Sequence, residues 1–202
     1  MTPIVGEDVE AYSEHHTTPP RQLLRDLADE TRATQECPQM LTGPVEGRLL
    51  EMLVWAARPR LVVELGTYSG YSALFMAGAL PADARLITCE LDPQRAAFAR
   101  EHFDDRRIEL REGPALETLA TIDEPIDLAF IDADKGGYPG YYEALVPKLS
   151  ERGLIVADNT LHGGGALEGD LMHDFNELVL DDPRTACVLL PVRDGVTLIR
   201  RV

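Results

Sequence analysis

Apolar residues follow two different spacings along this chain, and the change from one to the other falls near residue 60. Before it, Leu23, Leu24 and Leu27, then Val45, Leu49, Met52 and Leu53, recur three and four positions apart, the period of a helix face. Helices are expected over Val9–His15, over Arg21–Gln35 after the Pro19-Pro20 break, and over Pro44–Ala57, with Thr42 marking the start of the last. After residue 60, short apolar, β-branched runs alternate with helical stretches. Strands are expected at Leu61–Leu65, Arg85–Glu90, Arg107–Arg111, Ile126–Ile131 and Leu154–Ala157. The helices between and after them are Ala73–Leu80, Pro93–Phe103, Pro114–Ala120, Tyr138–Leu149 and Met172–Leu180. That rhythm predicts an α/β fold with a doubly wound, mostly parallel, Rossmann-like sheet. Two closing strands, Ala186–Leu190 and Val196–Val202, joined through Pro191 and Asp194-Gly195, read as an antiparallel hairpin and bring the count to seven.

Length and charge narrow this picture. A chain of 202 residues suits one α/β domain, with N-terminal helices over 1–58 and the Rossmann-like core over 59–202. The net charge of −16 opposes encounter with polyanions, so neither nucleic acid nor anionic membrane is expected as a partner. Cys37, Cys89 and Cys187 are odd in number, far apart and free of CxxC spacing, which leaves buried free thiols as the expectation. The segment MTPIVGEDVEAYSEHH is acidic and lacks an apolar signal core, and no apolar run approaches the ~18 residues of a membrane span. A soluble, cytoplasmic protein is expected.

The richest segment is LVVELGTYSGYSALFMAGAL, residues 61–80: a buried strand, a glycine turn, then a helix. Glycines at such a junction let the backbone approach a ligand. A dinucleotide fingerprint needs GxGxxG, but Tyr68 takes the place of the second glycine and obstructs a pyrophosphate. Glu64 followed by Gly66 and Gly70 suits S-adenosylmethionine better, since that cofactor carries an amino group and a sulfonium in place of phosphates.

Ligands of open α/β sheets sit beyond the carboxyl ends of the strands. Strand two there offers Glu90, placed to accept both ribose hydroxyls; strand four, IDLAFIDADK, offers Asp132, Asp134 and Lys135; strand five, GLIVADN, offers Asp158 and Asn159. Asp132, Asp158 and Asn159 form a hard-oxygen set suited to Mg²⁺ with positions left open. A cation there would repel the Lys135 ammonium and lower its pKa, making Lys135 a candidate general base.

These residues fall within motifs in a fixed order: ELGTYSGYS, CELD, REGPAL, FIDADK followed by Tyr138, Tyr141 and Tyr142, ADNTL, and LPVRDGVTLIRR. From about Tyr12 onward the chain resembles the class I, metal-dependent O-methyltransferases of the caffeoyl-CoA and catechol O-methyltransferase superfamily, in its bacterial form. The resemblance implies that Glu64, Gly66 and Ser72 hold the methionine end of S-adenosylmethionine, Glu90 the ribose and Ala115 the adenine side. It places Thr42 near cofactor and metal, and Asp132 and Tyr141 beside the cofactor. It assigns a divalent metal, Mg²⁺ with Mn²⁺ or Ca²⁺ as alternatives, to Asp132, Asp158 and Asn159, and makes Lys135 the catalytic lysine. It further implies a homodimer built through the N-terminal helices, and a small vicinal diphenol as methyl acceptor.

Two departures qualify the match. His162 stands where the family commonly has an aromatic residue, and only a short bridge, Gly163 to Gly169, precedes the last helix, so a shallow acceptor site open to several small catechols is expected. A polyanionic CoA ester would need a basic patch, for which Arg21, Arg25 and Arg32 on one helix are the candidates, although a solvated face is the plainer reading. Methyl transfer to a hydroxylated natural-product intermediate without a catechol, and a non-catalytic S-adenosylmethionine-binding protein, stay open as alternatives.

Overall fold

The computed structural model describes residues 4–202. Before the sheet come α1 (Glu7–His15), α2 (Gln22–Thr34) and α3 (Pro44–Ala57). Strands β1 (Leu61–Leu65), β2 (Arg85–Glu90), β3 (Ile108–Glu112), β4 (Ile126–Ile131) and β5 (Leu149–Asp158) then alternate with α4 (Tyr71–Ala77), α5 (Pro93–His102), α6 (Ala115–Ala120) and α7 (Tyr138–Leu145). The chain closes with α8 (Leu171–Asp181), β6 (Thr185–Leu190) and β7 (Val196–Arg201). All seven strands form one sheet in the order β3-β2-β1-β4-β5-β7-β6. β1 to β5 pair in parallel, whereas β7 runs antiparallel to both β5 and β6. This is the expected α/β Rossmann-like sheet with its antiparallel closing hairpin.

Strand alternation assigns the two faces. Leu61, Val63 and Leu65 of β1 and Ala129 and Ile131 of β4 pack with Tyr138, Tyr142 and Leu145 of α7 and Phe175 and Val179 of α8. Val62, Leu128 and Phe130 point the other way, onto Leu50 and Val54 of α3 and Ala73 and Met76 of α4. Both faces being covered, β1 is buried at every position, which is why it reads as an unbroken apolar run. Outside α4, Leu24 and Leu27 of α2 pack on Leu74 and Phe75.

The differences from the sequence expectation have local causes. α7 ends at Leu145, and the Val146–Lys148 3₁₀ turn containing Pro147 leads into β5 at Leu149, five residues earlier than expected. The register of β5 on β4 shifts between Ile126 and Leu128, and a Cβ on Gly153 would lie 2.8 Å from the Ile126 carbonyl oxygen. The glycine that reads as a strand boundary is thus what lets the strand bend past β4. Gly43, not Thr42, takes the cap position of α3, with Pro44 following. The Gly163–Gly165 cluster folds into a 3₁₀ segment, His162–Glu168, with a kink at Gly163 and Gly164. Cys89 is buried, but Cys37 and Cys187 are only half-buried; all three are free. Among the described residues no helix is long and apolar enough to cross a membrane.

Candidate active site

The strand order reverses between β1 and β4, and the carboxyl ends of these strands open a crevice there. A cavity of about 1130 Å³ occupies it, running from Glu90, Gly113 and Ala115 past Gly66 and Asp132 to Lys135, Asp158 and Asn159. Gly66 (φ 97°) is what opens the crevice at its centre, since a Cβ there would lie 2.0 Å from the Asp132 carbonyl oxygen. Thr42 and Tyr141 also line the wall. Glu64 and Ser72 do not; they lie just behind it, where Ser72 Oγ donates to Glu64 Oε1 at 2.5 Å.

At the β1–β2 end the acids are fully engaged. Thr88 Oγ1 donates to Glu64 Oε2 at 2.5 Å and lies 2.5 Å from Thr67 Oγ1. Burial pushes the Glu64 carboxyl up to about 8, against the opposing pull of the Ser72 and Thr88 hydroxyls. Glu90 accepts from the Tyr68 amide at Oε2 (2.8 Å) and from the Asp92 amide at Oε1 (2.9 Å). Asp92 in turn caps α5. Arg95 stands 5.4 Å over the Tyr68 ring, walling this end with an aromatic-cation pair.

The β4–β5 end is crowded with charge. Lys135 Nζ lies 3.5 Å from Asp132 Oδ1 and donates to the Tyr138 hydroxyl oxygen at 2.6 Å. That hydroxyl donates onward to the backbone, 2.9 Å from the Asp158 carbonyl oxygen and 3.1 Å from that of Ile131. Tyr138, fully buried, therefore ties the lysine to the ends of both strands. Burial raises the Asp158 carboxyl to about 7 with help from Asp132, while Lys135 opposes. The Asp132 carboxyl is raised too, by burial against the pull of Lys135.

Sequence reading missed three residues here. Glu46, in the first turn of α3, is buried; its Oε2 accepts from Arg193 Nη1 at 3.3 Å, and its carboxyl shares a side-chain hydrogen bond with Asp158. Arg193, on the β6–β7 turn, also donates to the Leu41 carbonyl (3.3 Å) and faces Glu10 at 3.7 Å. Tyr138 was visible only as one of three tyrosines after FIDADK. The signal for Glu46 is an acid set between Val45 and Gly47 in the first turn of a helix whose other charges are Arg48 and Glu51. Nothing in the sequence joins it to Arg193, 147 positions away.

His162 borders the same cavity, its Nδ1 2.5 Å from Asp170 Oδ2, while Asp170 Oδ1 caps α8. Of the five non-glycine residues in left-handed conformations among the described residues, Tyr68, Asn159, His162 and Arg193 line the cavity. Backbone strain is thus gathered at the site. The arginines of α2 form no common patch: Arg21 bonds the Leu74 carbonyl, Arg25 the Pro20 carbonyl, and Arg32 pairs with Asp29.

Two carboxylates and an amide, Asp132, Asp158 and Asn159, are hard donors suited to a divalent cation. Among the described residues no three His, Cys, Asp or Glu side chains converge as a ready metal shell. With Glu46 counted, two buried acids, Glu46 and Asp158, and the partly exposed Asp132 face two cations, Lys135 and Arg193. The residues fit a cation that completes its shell with solvent or substrate.

A doubly wound sheet with acids and a lysine gathered at its switch point is an enzyme's arrangement. Comparison with known proteins makes that specific. The model of the O-methyltransferase family matches residues 13–202, and the chain belongs to that family. It is 32% identical to the caffeoyl-CoA O-methyltransferase of Mesembryanthemum crystallinum, over 91% of this chain and 80% of that protein. It is 37% identical to the catechol O-methyltransferase of Niastella koreensis, over 70% of this chain and 67% of that one. The crystal structure of the SAH-bound methyltransferase PaMTH1 of Podospora anserina superposes with a TM-score of 0.92 at 30% identity, covering 97% of this chain and 94% of that chain.

Proposed function

We propose that this O-methyltransferase moves the methyl group of S-adenosylmethionine to one hydroxyl of a small vicinal diphenol, with Lys135 as the base and a divalent cation held by Asp132, Asp158 and Asn159. The observation that carries the reading is the placement of Lys135, Asp132, Asp158 and Asn159 at one end of a single cavity whose other end holds Glu90 and Ala115.

S-adenosylmethionine suits the β1–β2 end: Glu90 for the ribose hydroxyls, Ala115 for the adenine side, and Gly66 for close approach, with Thr42, Asp132 and Tyr141 along the wall. Glu64 and Ser72 act from behind the wall, Glu64 as the carboxyl that the cofactor's ammonium, once bound, would draw to its ionised form. A divalent cation held by Asp132, Asp158 and Asn159 would supply Lewis acidity that favours the phenolate. Lys135 takes the hydroxyl proton, and the Tyr138 hydroxyl keeps its amine pointed at the acceptor. The acceptor oxygen then displaces sulfur at the methyl carbon, giving the methyl ether and S-adenosylhomocysteine. Positioning along one cavity supplies much of the acceleration.

The exposed side chains of Val9 and Tyr12 on α1, a helix with no buried residue, support a homodimer through the N-terminal helices. Sedimentation of the full chain tests that element alone.

The test of the function is methyl transfer to caffeic acid, protocatechuic acid, catechol and matched monophenols, each with Mg²⁺ and with EDTA. Turnover of the diphenols only, lost in EDTA, is the expected result. Equal turnover of monophenols, or activity indifferent to EDTA, refutes the chelating mechanism and favours a non-catechol acceptor.

A further inference from the structure

Among the described residues three arginine or lysine side chains line the cavity: Arg95, Lys135 and Arg193. Arg95 lies over Tyr68 at the cofactor's end and Lys135 is the base of the reading above, which leaves Arg193 without a task. The chain tolerates strain to place it. Arg193 holds a left-handed backbone (φ 49°) in the β6–β7 turn, a conformation that arginine adopts rarely. Its guanidinium lies against the bare backbone of Gly43, where a Cβ would come within 3.2 Å of Nη1 and 3.4 Å of Cζ. Nη1 donates to the Leu41 carbonyl and to Glu46 Oε2, each at 3.3 Å. The Glu46 carboxyl in turn bonds Asp158, so a single residue separates the guanidinium from the cation site. The other edge of the guanidinium is open. Nη2 makes no hydrogen bond among the described residues, and Nε faces only Glu10 Oε1, at 3.7 Å, beyond hydrogen-bond reach. Glu10 is loosely placed, on a helix with no buried residue. A brace between α3 and the β6–β7 turn needs Nη1 alone, whereas the two parallel donors at Nε and Nη2 form the fork that pairs with both oxygens of a carboxylate.

We propose that Arg193 is a specificity-determining residue that pairs, through Nε and Nη2, with a carboxylate on the methyl acceptor, so that the enzyme takes acidic vicinal diphenols in preference to their neutral counterparts. The inference rests on the vicinal diphenol reading given above. The diol of such an acceptor meets Lys135 and its acidic tail meets Arg193, while Ile4, Val5, Met40 and Leu41 of the same cavity supply apolar surface for the ring. A chain of net charge −16, with Glu10, Asp134 and Asp194 on the cavity wall, repels a free carboxylate. One fixed guanidinium reverses that locally, which suffices for a monoanion and not for the several phosphates of a CoA ester. The acceptor carboxylate takes the edge that Glu10 now faces, so Glu10 competes with it.

The experiment compares kcat/KM for protocatechuic acid and for protocatechualdehyde, its uncharged counterpart, in the full-length wild type, R193M and E10Q with S-adenosylmethionine and Mg²⁺. Dividing each variant's acid-to-aldehyde ratio by that of wild type cancels differences in the intrinsic reactivity of the two hydroxyl pairs. In R193M the ratio should fall about tenfold or more, through a raised KM for the acid, because a charged hydrogen-bonded pair is lost. E10Q removes the competing carboxylate at a half-exposed position and should raise the ratio about two- to threefold. A ratio in R193M within about twofold of wild type overturns the proposal. Equal losses on acid and aldehyde in R193M overturn it too, because they show that Arg193 only braces the fold. Should R193M fail to fold, E10Q decides: a ratio that is unchanged or lowered in that variant overturns the proposal equally. If wild type methylates neither diphenol, the vicinal diphenol reading falls and this inference with it. Turnover of both with an unmoved ratio in R193M sinks this inference alone.

Discussion

At the β1–β2 end of the cavity both oxygens of Glu64 and both of Glu90 meet donors, whereas at the β4–β5 end the carboxyls of Glu46 and Asp158 meet each other, and Asp158 Oδ1 is otherwise met only by the amide of its own neighbour, Asn159, at 2.6 Å. The first end is finished by the chain itself; hydroxyls and amides fixed by the glycine turn and by the cap of α5 hold its acids in place. The second end gathers like charges that burial penalises, and it becomes comfortable only when something positive or proton-bearing joins it. One end is preorganised and the other is left open, which is the division expected when the cofactor's shape is constant and the reacting group must enter and leave.

The hardest blow to that contrast is struck at Lys135. Replacing it with alanine should lower kcat by roughly 10²–10⁴-fold, the usual worth of a positioned base. S-adenosylmethionine affinity should stay put, because the β1–β2 end is untouched. A loss in K135A smaller than about tenfold, read in steady-state turnover of a diphenol, removes the base from Lys135.

A second measurement probes the finished end. The folded-state pKa of Glu64 is raised to about 8, so the folded chain holds a proton between roughly pH 4.5 and 8 that the unfolded chain releases. Wild-type stability without cofactor should therefore fall as pH rises through that window and level off above it. The uncharged amide of the E64Q variant has no such dependence. In urea unfolding, the stability of E64Q relative to wild type should grow by about 1.4 kcal/mol per pH unit across the window. The neighbouring Ser72 and Thr88 hydroxyls can turn from donors to acceptors, so a neutral Glu64 stays bonded. A difference that is flat with pH shows that Glu64 is ionised in the folded chain, and the β1–β2 end then joins the β4–β5 end as a charged one.

How far the sequence could foresee this contrast depends on how local each end is. β1, β2 and β4 match their expected ranges residue for residue, because strands covered on both faces are apolar runs cut off by glycine or acid. β5 does not, because Ser150, Glu151, Arg152 and Gly153 look like a loop and form the bulged start of the strand, exposed at Glu151 and Arg152. Glu64, Ser72, Glu90, Asp132, Lys135, Asp158 and Asn159 stand in or just beyond strands whose ends the fold must bring together, so topology alone brings them near one another. Glu46 and Arg193 meet only because α3 and the β6–β7 turn converge, a contact that no spacing encodes. The His162–Asp170 pair spans eight positions across a glycine-rich kink, where the chain's path cannot be read from residue types.

Between these ends stands Tyr138, and removing its hydroxyl measures how much order the open end owns by itself. Y138F deletes the acceptor for Lys135 Nζ and the donor to the Asp158 carbonyl. A hydrogen bond to a charged group is worth about 1.5–3 kcal/mol, so kcat should drop by roughly 10–100-fold with little change in acceptor KM. An unaltered kcat means that Lys135 is aimed by Asp132 alone.

The smallest effect is expected at the rim, at His162. Asp170 holds His162 through Nδ1 and caps α8 through its other oxygen, so the imidazole is anchored to a helix end while its backbone sits at φ 51°. D170N keeps an oxygen for the cap and weakens the charged hold on the ring. If the ring forms part of the acceptor wall, KM for diphenols should rise about threefold while kcat and S-adenosylmethionine affinity hold, a change under 1 kcal/mol that matches a partly exposed polar contact. The same rise in KM for the cofactor would mean that the kink carries both ends of the cavity, and the separation of a finished end from an open one would have to be redrawn through the loop after Asn159.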